Sequence, residues 1–197
     1  MITNHQKYNQ IIKSLDCKPR LLPHSCCAPC STVCLERLTE YFNVDIFYYN
    51  PNITCEGEFL KRLSEQKRYC LEVYGDRVKV IETEHRSNDF YAVISGLENL
   101  PERSKRCYEC YALRLKETAN YAKMSGYDYF ATTLTVSPHK NEKWLNEIGE
   151  SFEKELSVKY LPTDFKKEGG YLRSIELSKD YSLYRQDYCG CKFSKKQ

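Results

Sequence analysis

The sequence has no long apolar run and lacks the common motifs that bind nucleotides. None of its hydrophobic stretches approaches the ~20 residues that cross a bilayer. The first residues, as far as Arg20, are polar and lack the apolar centre of a secretory signal. Absent too are the G-x-x-x-x-G-K-[ST] phosphate loop and the G-x-G-x-x-G dinucleotide fingerprint. These absences predict a cytoplasmic globular protein with no membrane partner and no recognisable flavin or nicotinamide site.

Length and charge favour one domain with a locally basic surface. The 197 residues, 41% of them hydrophobic, suit a single domain with its own core. Thirty Lys and Arg against 27 Asp and Glu leave a net charge of +3. Residues 101–123 nevertheless hold six basic and three acidic side chains, and residues 165–197 hold eight and four. These two segments are either docking sites for an acidic partner or parts of a mixed solvated surface.

The 11 cysteines are the outlying feature of the composition. Their odd number, without a secretory signal, argues against a disulfide scaffold. Seven of them fall in three clusters, and two residues between thiols let both sulfurs face one metal ion. Seven thiols exceed the four of a closed zinc site, so an iron–sulfur cluster with a second metal ion would use them better. The clusters are Cys26-Cys27-x-x-Cys30, Cys107-x-x-Cys110 and Cys189-x-Cys191.

The other four cysteines are predicted to lie outside this site. Cys34 follows Cys30 by one helical turn and could face the same site, but a small buried thiol is the simpler expectation. Cys17, Cys55 and Cys70 are isolated in the sequence.

Short β-branched and aromatic runs alternate with longer amphipathic ones. This alternation predicts a single α/β domain with a largely parallel sheet and helices on both faces. Residues 1–19 are expected to form an N-terminal extension, helical or loose, before the α/β domain of residues 20–197. Strands are predicted at 20–26, 44–50, 78–83, 127–134 and 160–164, and helices at 32–41, 56–74, 87–97, 104–125, 142–158 and 171–183.

Two polar stretches follow predicted strands. Residues 24–30 come at the end of the first strand, and residues 132–140 at the end of the fourth. Chemistry in open α/β sheets gathers in the crevice beyond the carboxyl ends of the strands. Both stretches should therefore lie on one rim, where functional thiols are expected.

Further motifs accompany the cysteines in order along the chain. They are His24-Ser25-Cys26-Cys27-Ala28-Pro29, Asn50-Pro51-Asn52-Ile53 with Glu58, Arg62 and Glu65, residues 106–111 with Arg114 and Leu115, residues 132–134 with 137–140, residues 164–167, and residues 184–191. With these motifs the sequence resembles the epoxyqueuosine reductase family QueH over nearly the whole chain, from about Arg20 to Cys191.

The resemblance implies an oxidoreductase that removes the epoxide oxygen from epoxyqueuosine at the wobble position of tRNA, the last step of queuosine biosynthesis. It also implies a three-layer architecture like that of the HUP and PP-loop folds, and a [4Fe–4S] cluster beside a mononuclear metal ion, with iron expected. The cluster ligands are expected among Cys26, Cys27, Cys107, Cys110, Cys189 and Cys191, with Cys30 added for the metal site. The family often has Asp at the position of Cys30, so a thiolate here would change the identity or potential of the second ion.

Deoxygenation of an epoxide requires two electrons, two protons and a group that stabilises the departing oxygen. A cluster delivers electrons one at a time, and a neighbouring open metal ion acts as a Lewis acid. Since no flavin or nicotinamide site is recognisable, an external electron donor is expected. Tyr108, Asp164 and Tyr188 adjoin the cysteine or rim motifs and are candidate proton donors, although each could equally be a packing or turn residue.

The tRNA is expected across the two basic segments. Unstacked loop bases are bound by stacking and hydrogen bonds, and RNA backbones by basic side chains. Some of the 17 tyrosines could stack on a splayed anticodon base. The lysines expected to meet phosphates are Lys166, Lys167, Lys192, Lys195 and Lys196.

Three alternatives stay open at this point. A non-catalytic zinc protein that binds RNA predicts a colourless protein with about one zinc per chain. A thiol–disulfide oxidoreductase built on Cys107-x-x-Cys110 would need no metal. A PP-loop-like tRNA thiolase would need a Ser-Gly-Gly-x-Asp-Ser pyrophosphate loop after the first strand, where this chain has Cys26-Cys27 instead.

Overall fold

The computed structural model describes residues 2–195, so Lys196 lies outside the described part of the chain. Within it, no helix is long and apolar enough to cross a membrane. The strands are β1 Arg20–His24, β2 Asn43–Val44, β3 Ile46–Tyr48, β4 Val80–Glu82, β5 Tyr129–Thr132 and β6 Lys159–Tyr160. The helices are α1 Asn4–Lys13, α2 Ala28–Tyr41, α3 Glu56–Tyr74, α4 Ser87–Val93, α5 Lys105–Met124, α6 Glu142–Leu156 and α7 Gly170–Asp180, with single 3₁₀ turns at Gly75–Arg77, Thr133–Val136 and Lys192–Ser194.

The strands form one parallel sheet, as predicted. Its order is β4-β3-β1-β5-β6, with β2 also paired to β1. From β1 the chain builds outward to β3 and β4 on one side, then returns to add β5 and β6 on the other. The order therefore reverses beside β1, and ligands of open α/β sheets bind at the carboxyl edge of such a switch point.

Helices cover both faces of the sheet, which gives the predicted three layers. Successive residues of β1 point to opposite faces: Leu21 packs in a core formed with α1, α2, α3 and α7, and Leu22 packs in a second core with α5 and α6. Both leucines have no exposed surface. The sheet is thus buried on both sides, so its strands place their carboxyl ends in a fixed frame.

The element boundaries differ from the sequence prediction in ways that matter for the site. Helix α2 begins at Ala28, four residues before the predicted start, because Pro29 fits the first turn, where no N–H bond is needed. Strand β5 stops at Thr132, where the side chain accepts a hydrogen bond from the backbone N–H of Leu134 and starts a 3₁₀ turn. The predicted strand 44–50 is split at Asp45, whose carboxylate accepts hydrogen bonds from Lys79 and Tyr127.

The predicted N-terminal extension contains a helix that packs on the core. Thr3 and Gln6 form a reciprocal cap at the start of α1. Tyr8 is buried and meets Phe165 edge to face, with ring centroids 6.0 Å apart. Of the two forms expected for this segment, the helical one is therefore found, while the domain boundary at residue 20 stays a prediction.

Candidate metal centre

The first group of thiols lies where β1 turns into α2. Cys27 is the extended N-cap residue of α2, and Cys30 lies in the first helical turn. This turn lets the adjacent side chains of Cys26 and Cys27 meet, with their sulfurs 3.6 Å apart. The Sγ atoms of Cys26, Cys27 and Cys30 all lie within 4.8 Å of one another, a spacing that can hold a metal ion. We call these three residues the triad.

Cys27 is the most acidic of the three thiols of the triad. Hydrogen bonds from Cys26 and Cys30 hold the pKa of Cys27 well below its usual range. The hydrogen bond with Cys27 raises the pKa of the Cys26 thiol to about 11. Hydrogen bonds with Cys26 and Cys27 likewise raise the pKa of the Cys30 thiol. The Nε2 amide of Gln186 donates to Cys27 Sγ at 2.9 Å. A bound ion would displace the remaining protons, since metals bind the deprotonated sulfurs.

The second group joins two distant parts of the chain. Cys107 and Cys110 lie in the first turns of α5, and Cys189 and Cys191 lie in the C-terminal segment. Cys110 and Cys191 share a buried cluster with Phe90 and Ile94. Burial, with added repulsion from the other three thiols, raises the pKa of Cys110 to about 12. Cys110 thus interacts with Cys107, Cys189 and Cys191, and we call these four residues the tetrad.

Helix α3 fixes the C-terminal half of the tetrad. Arg62, a buried residue of α3, donates to the carbonyl oxygens of Cys189 at 3.2 Å and Tyr188 at 3.3 Å. Its Nε donates to Glu58 at 2.6 Å, and the hydroxyl of Tyr184 donates to the same carboxylate. The backbone N–H of Thr54 donates to the Gly190 carbonyl at 3.2 Å. These contacts give Glu58 and Arg62 a structural role: together with Thr54 they hold the segment that carries Cys189 and Cys191 in place.

Gly190 occupies a position that other residues fit poorly. Its φ is +111°, and a Cβ there would come 2.9 Å from Cγ1 of Ile53. We expect Gly190→Ala to lower the free energy of unfolding by about 1–3 kcal/mol, the cost of a strained backbone. Gly57→Ala is the matched control, because a Cβ at Gly57 meets nothing within 4 Å. Urea unfolding that finds the two variants equally stable would contradict this prediction.

A cavity of about 510 Å³ opens between the two thiol groups. This volume lies in the range of sites for small organic ligands. Its wall includes Cys26 and Cys30 from the triad and Cys189 from the tetrad, with Arg114, Lys140 and Tyr188. The cavity therefore brings both groups of thiols to one space at the carboxyl edge of the sheet, as predicted for the two rim stretches.

Two cations accompany the thiols, Arg114, which is buried, and Lys140, which is mostly buried. Arg114 is 1% exposed, and its Nε donates to the carbonyl of Cys110 at 3.2 Å. Burial alone would lower the pKa of Arg114, but the charges of Cys110, Cys189 and Cys26 raise it. The ammonium of Lys140 lies 3.0 Å from Cys189 Sγ. Sequence reasoning quoted both residues within motifs but gave them no role, because nothing in the sequence marks a basic residue as buried.

His24 connects the strand ends beneath the site. Burial, and then the charge of Arg114, lower its pKa to about 3, so the ring is neutral. In the neutral form that fits its partners, Nε2 donates to the Tyr49 carbonyl at 3.1 Å and Nδ1 accepts from Thr132 Oγ1 at 3.4 Å. The ring thus ties the carboxyl ends of β1, β3 and β5 together.

The three candidate proton donors are placed differently. Tyr188 lines the cavity. Tyr108 packs edge-on against Trp144 with ring centroids 5.6 Å apart, and Asp164 lies 3.4 Å from the ammonium of Lys166. Tyr108 and Asp164 are not among the residues of the cavity wall. Of the four cysteines predicted to lie outside the site, Cys34 is buried and donates to the carbonyl of Cys30, and Cys70 is buried against Gln66, whereas Cys17 and Cys55 are exposed.

The fold and these thiols define an α/β protein with a cysteine-rich candidate metal site at the switch point of a parallel sheet. A family model described as "Epoxyqueuosine reductase QueH" matches residues 21–197. Curated relatives with the same description occur in Staphylococcus epidermidis, with 44% identity over 90% of this chain and 76% of the relative, and in Streptococcus pyogenes, with 41% identity over 91% and 71%. A relative from Thermotoga maritima is 37% identical over 88% of this chain and 89% of its own length. The chain belongs to the epoxyqueuosine reductase QueH family.

Proposed function

We propose that this protein reduces epoxyqueuosine to queuosine at the wobble position of tRNA, the last step of queuosine biosynthesis. The observation that carries the proposal is a cavity whose wall contains thiols of both groups, in a chain of the QueH family. The reaction breaks both C–O bonds of the epoxide and forms a C=C bond. It consumes two electrons and two protons and releases water.

The residues present fit the cofactors that the reaction requires. The tetrad supplies the four thiols of a [4Fe–4S] cluster, and the more compact triad supplies three for one ion with an open position. The Nη2 atom of buried Arg114 has no hydrogen-bond partner among the described residues, and a sulfur atom of a bound cofactor would provide an acceptor. When bound, a cluster supplies electrons singly and an adjacent ion, with iron expected, polarises the epoxide oxygen.

The residues of the cavity position the substrate and keep water away. Tyr188 in the wall is the proton donor best placed for the departing oxygen, with Tyr108 and Asp164 as the other candidates. An external low-potential donor supplies the electrons, since the chain carries no recognisable flavin or nicotinamide motif. Reduced thiols and a tRNA substrate both favour a cytoplasmic location.

The tRNA is proposed to present its wobble base to the cavity while basic residues meet the phosphates. Lys167 is exposed after β6, and Lys166 is half-buried beside Asp164. The ammonium groups of Lys192 and Lys195 lie over aromatic rings, at 4.9 Å from Tyr91 and 5.8 Å from Tyr188. Binding should weaken steeply as salt rises, because phosphate contacts release counterions.

Metal analysis tests the proposal most directly. Protein purified without oxygen should be brown, with about five irons and four sulfides per chain, the content of a [4Fe–4S] cluster plus one iron. Under a strong reductant it should convert epoxyqueuosine tRNA to the queuosine form, as detected by mass spectrometry of the nucleosides. A colourless protein with one zinc would instead favour a non-catalytic zinc protein that binds RNA. A metal-free protein with redox-active Cys107 and Cys110 would favour a thiol–disulfide oxidoreductase.

A further inference from the structure

Lys140 places an ammonium group directly against a thiol of the tetrad. Its side chain is 9% exposed, and its Nζ lies 3.0 Å from the Sγ of Cys189. Its other charged neighbour, Glu102, is farther away at 3.4 Å and is 42% exposed. Lysine is almost never buried without a partner, and here the nearest partner is the sulfur.

The loop after β5 determines the position of this lysine. The 3₁₀ turn Thr133–Val136 is buried, and Ser137 follows it at the rim of the cavity. The N–H of Lys140 donates to the Ser137 carbonyl at 3.2 Å, and the N–H of His139 donates to the Ser137 hydroxyl at 3.2 Å. The loop is thus closed on itself, and the lysine side chain is directed to Cys189 by a fixed backbone.

We propose that Lys140 is a positioning residue that makes the cofactor held by Cys189 easier to reduce. The inference rests on the proposed function, because it requires an iron–sulfur cluster on the tetrad. One-electron reduction by the external donor adds one negative charge to the cluster. A buried cation hydrogen-bonded to a ligand sulfur stabilises that added charge, and burial protects the interaction from screening by salt. Hydrogen bonds to the sulfurs and net charge are among the factors that set the potentials of such clusters.

Arg114 adds positive charge but is placed differently. Its Nε bonds to a backbone carbonyl, that of Cys110, rather than to a thiol sulfur. Lys140, in contrast, already contacts the sulfur of a tetrad thiol and no backbone atom of the tetrad, so its removal should affect the potential without altering the backbone there.

The test measures the midpoint potential of the loaded protein in a redox titration followed by electron paramagnetic resonance. Lys140→Gln should lower the equilibrium constant for one-electron reduction at least tenfold, which is about 59 mV toward negative values for a one-electron couple. Lys140→Arg keeps the charge and should stay within about threefold of the wild type. Lys154→Gln, which removes an exposed lysine of α6 outside the cavity wall, controls for the net charge and should leave the potential unchanged.

A second variant tests the sign of the effect without altering Lys140. Glu102→Gln removes the carboxylate beside the ammonium and should shift the potential toward positive values, by less than Lys140→Gln because Glu102 is partly exposed. If Lys140→Gln does not retain the cluster, the midpoint potential of Glu102→Gln tests the role of Lys140. Loaded variants with the potential of the wild type, or a negative shift in Glu102→Gln, would overturn the role of Lys140. A wild-type protein without iron and sulfide would overturn the proposed function instead.

Discussion

Replacing Arg62 with methionine should lower the free energy of unfolding by about 3–5 kcal/mol, the usual cost of removing one partner from a buried ion pair. The Arg62 side chain is 1% exposed and Glu58 only 12%, so the carboxylate would lose its nearest cation in a poorly solvated place. The carbonyls of Tyr188 and Cys189 would also lose the hydrogen bonds that Arg62 donates to them. Because Arg62 holds the C-terminal segment that carries Cys189 and Cys191, we also expect the iron content of the purified protein to fall.

The matched control is Lys67→Met on the same helix. Lys67 pairs with Glu82, but the two side chains are 46% and 49% exposed. Exposed ion pairs contribute about 0–1 kcal/mol, so this variant should unfold close to the wild type and keep its iron. Urea unfolding of metal-free protein and iron analysis of loaded protein separate the two effects. If Arg62→Met were as stable and as fully loaded as Lys67→Met, Arg62 would not be the anchor of the tetrad.

Much of the fold could be predicted from the sequence, because local patterns determine it. The alternation of short apolar runs with amphipathic ones predicted the parallel sheet. Leu21 and Leu22 of β1 point to opposite faces of that sheet, and each packs in a core on its own side. The boundary at α2 was missed because Pro29 was treated as part of a loop, whereas a proline in the first turn favours a helix. That error moved Cys30 out of the helical turn where the structure places it.

The candidate site could be predicted only in part. Spacing selected seven thiols as candidates, and it correctly grouped Cys26, Cys27 and Cys30 because they are close in the chain. The pairing of Cys107 and Cys110 with Cys189 and Cys191 depends on contacts between α3 and the C-terminal segment, which no spacing rule contains. The roles of Arg114 and Lys140 were missed for a related reason: burial of a basic side chain is a tertiary property.

Cys107→Ala should remove the proposed cluster and reduce the proposed epoxyqueuosine reduction more than a hundredfold, beyond the roughly 10- to 100-fold typical of residues that only support a metal ligand. Cys107 is half-buried, and its sulfur accepts one hydrogen bond in the structure, from the N–H of Arg103 at 3.3 Å. Its loss should therefore have little effect on the stability of the metal-free chain. Absorption in the visible range, iron content and turnover of the tRNA measure the effect.

Cys70→Ala is the matched control with the opposite expected outcome. Cys70 is 1% exposed, lies in α3 and accepts a hydrogen bond from Gln66 at 3.3 Å. Its removal should lower the free energy of unfolding by about 1 kcal/mol, the value of one buried hydrogen bond, yet leave iron content and turnover unchanged. Stability is compared on metal-free protein, because bound metal itself stabilises the folded state. The two variants distinguish the loss of a metal ligand from the loss of a packed side chain. If Cys107→Ala kept its iron and activity, or if Cys70→Ala lost them, the assignment of thiols to the tetrad would be wrong.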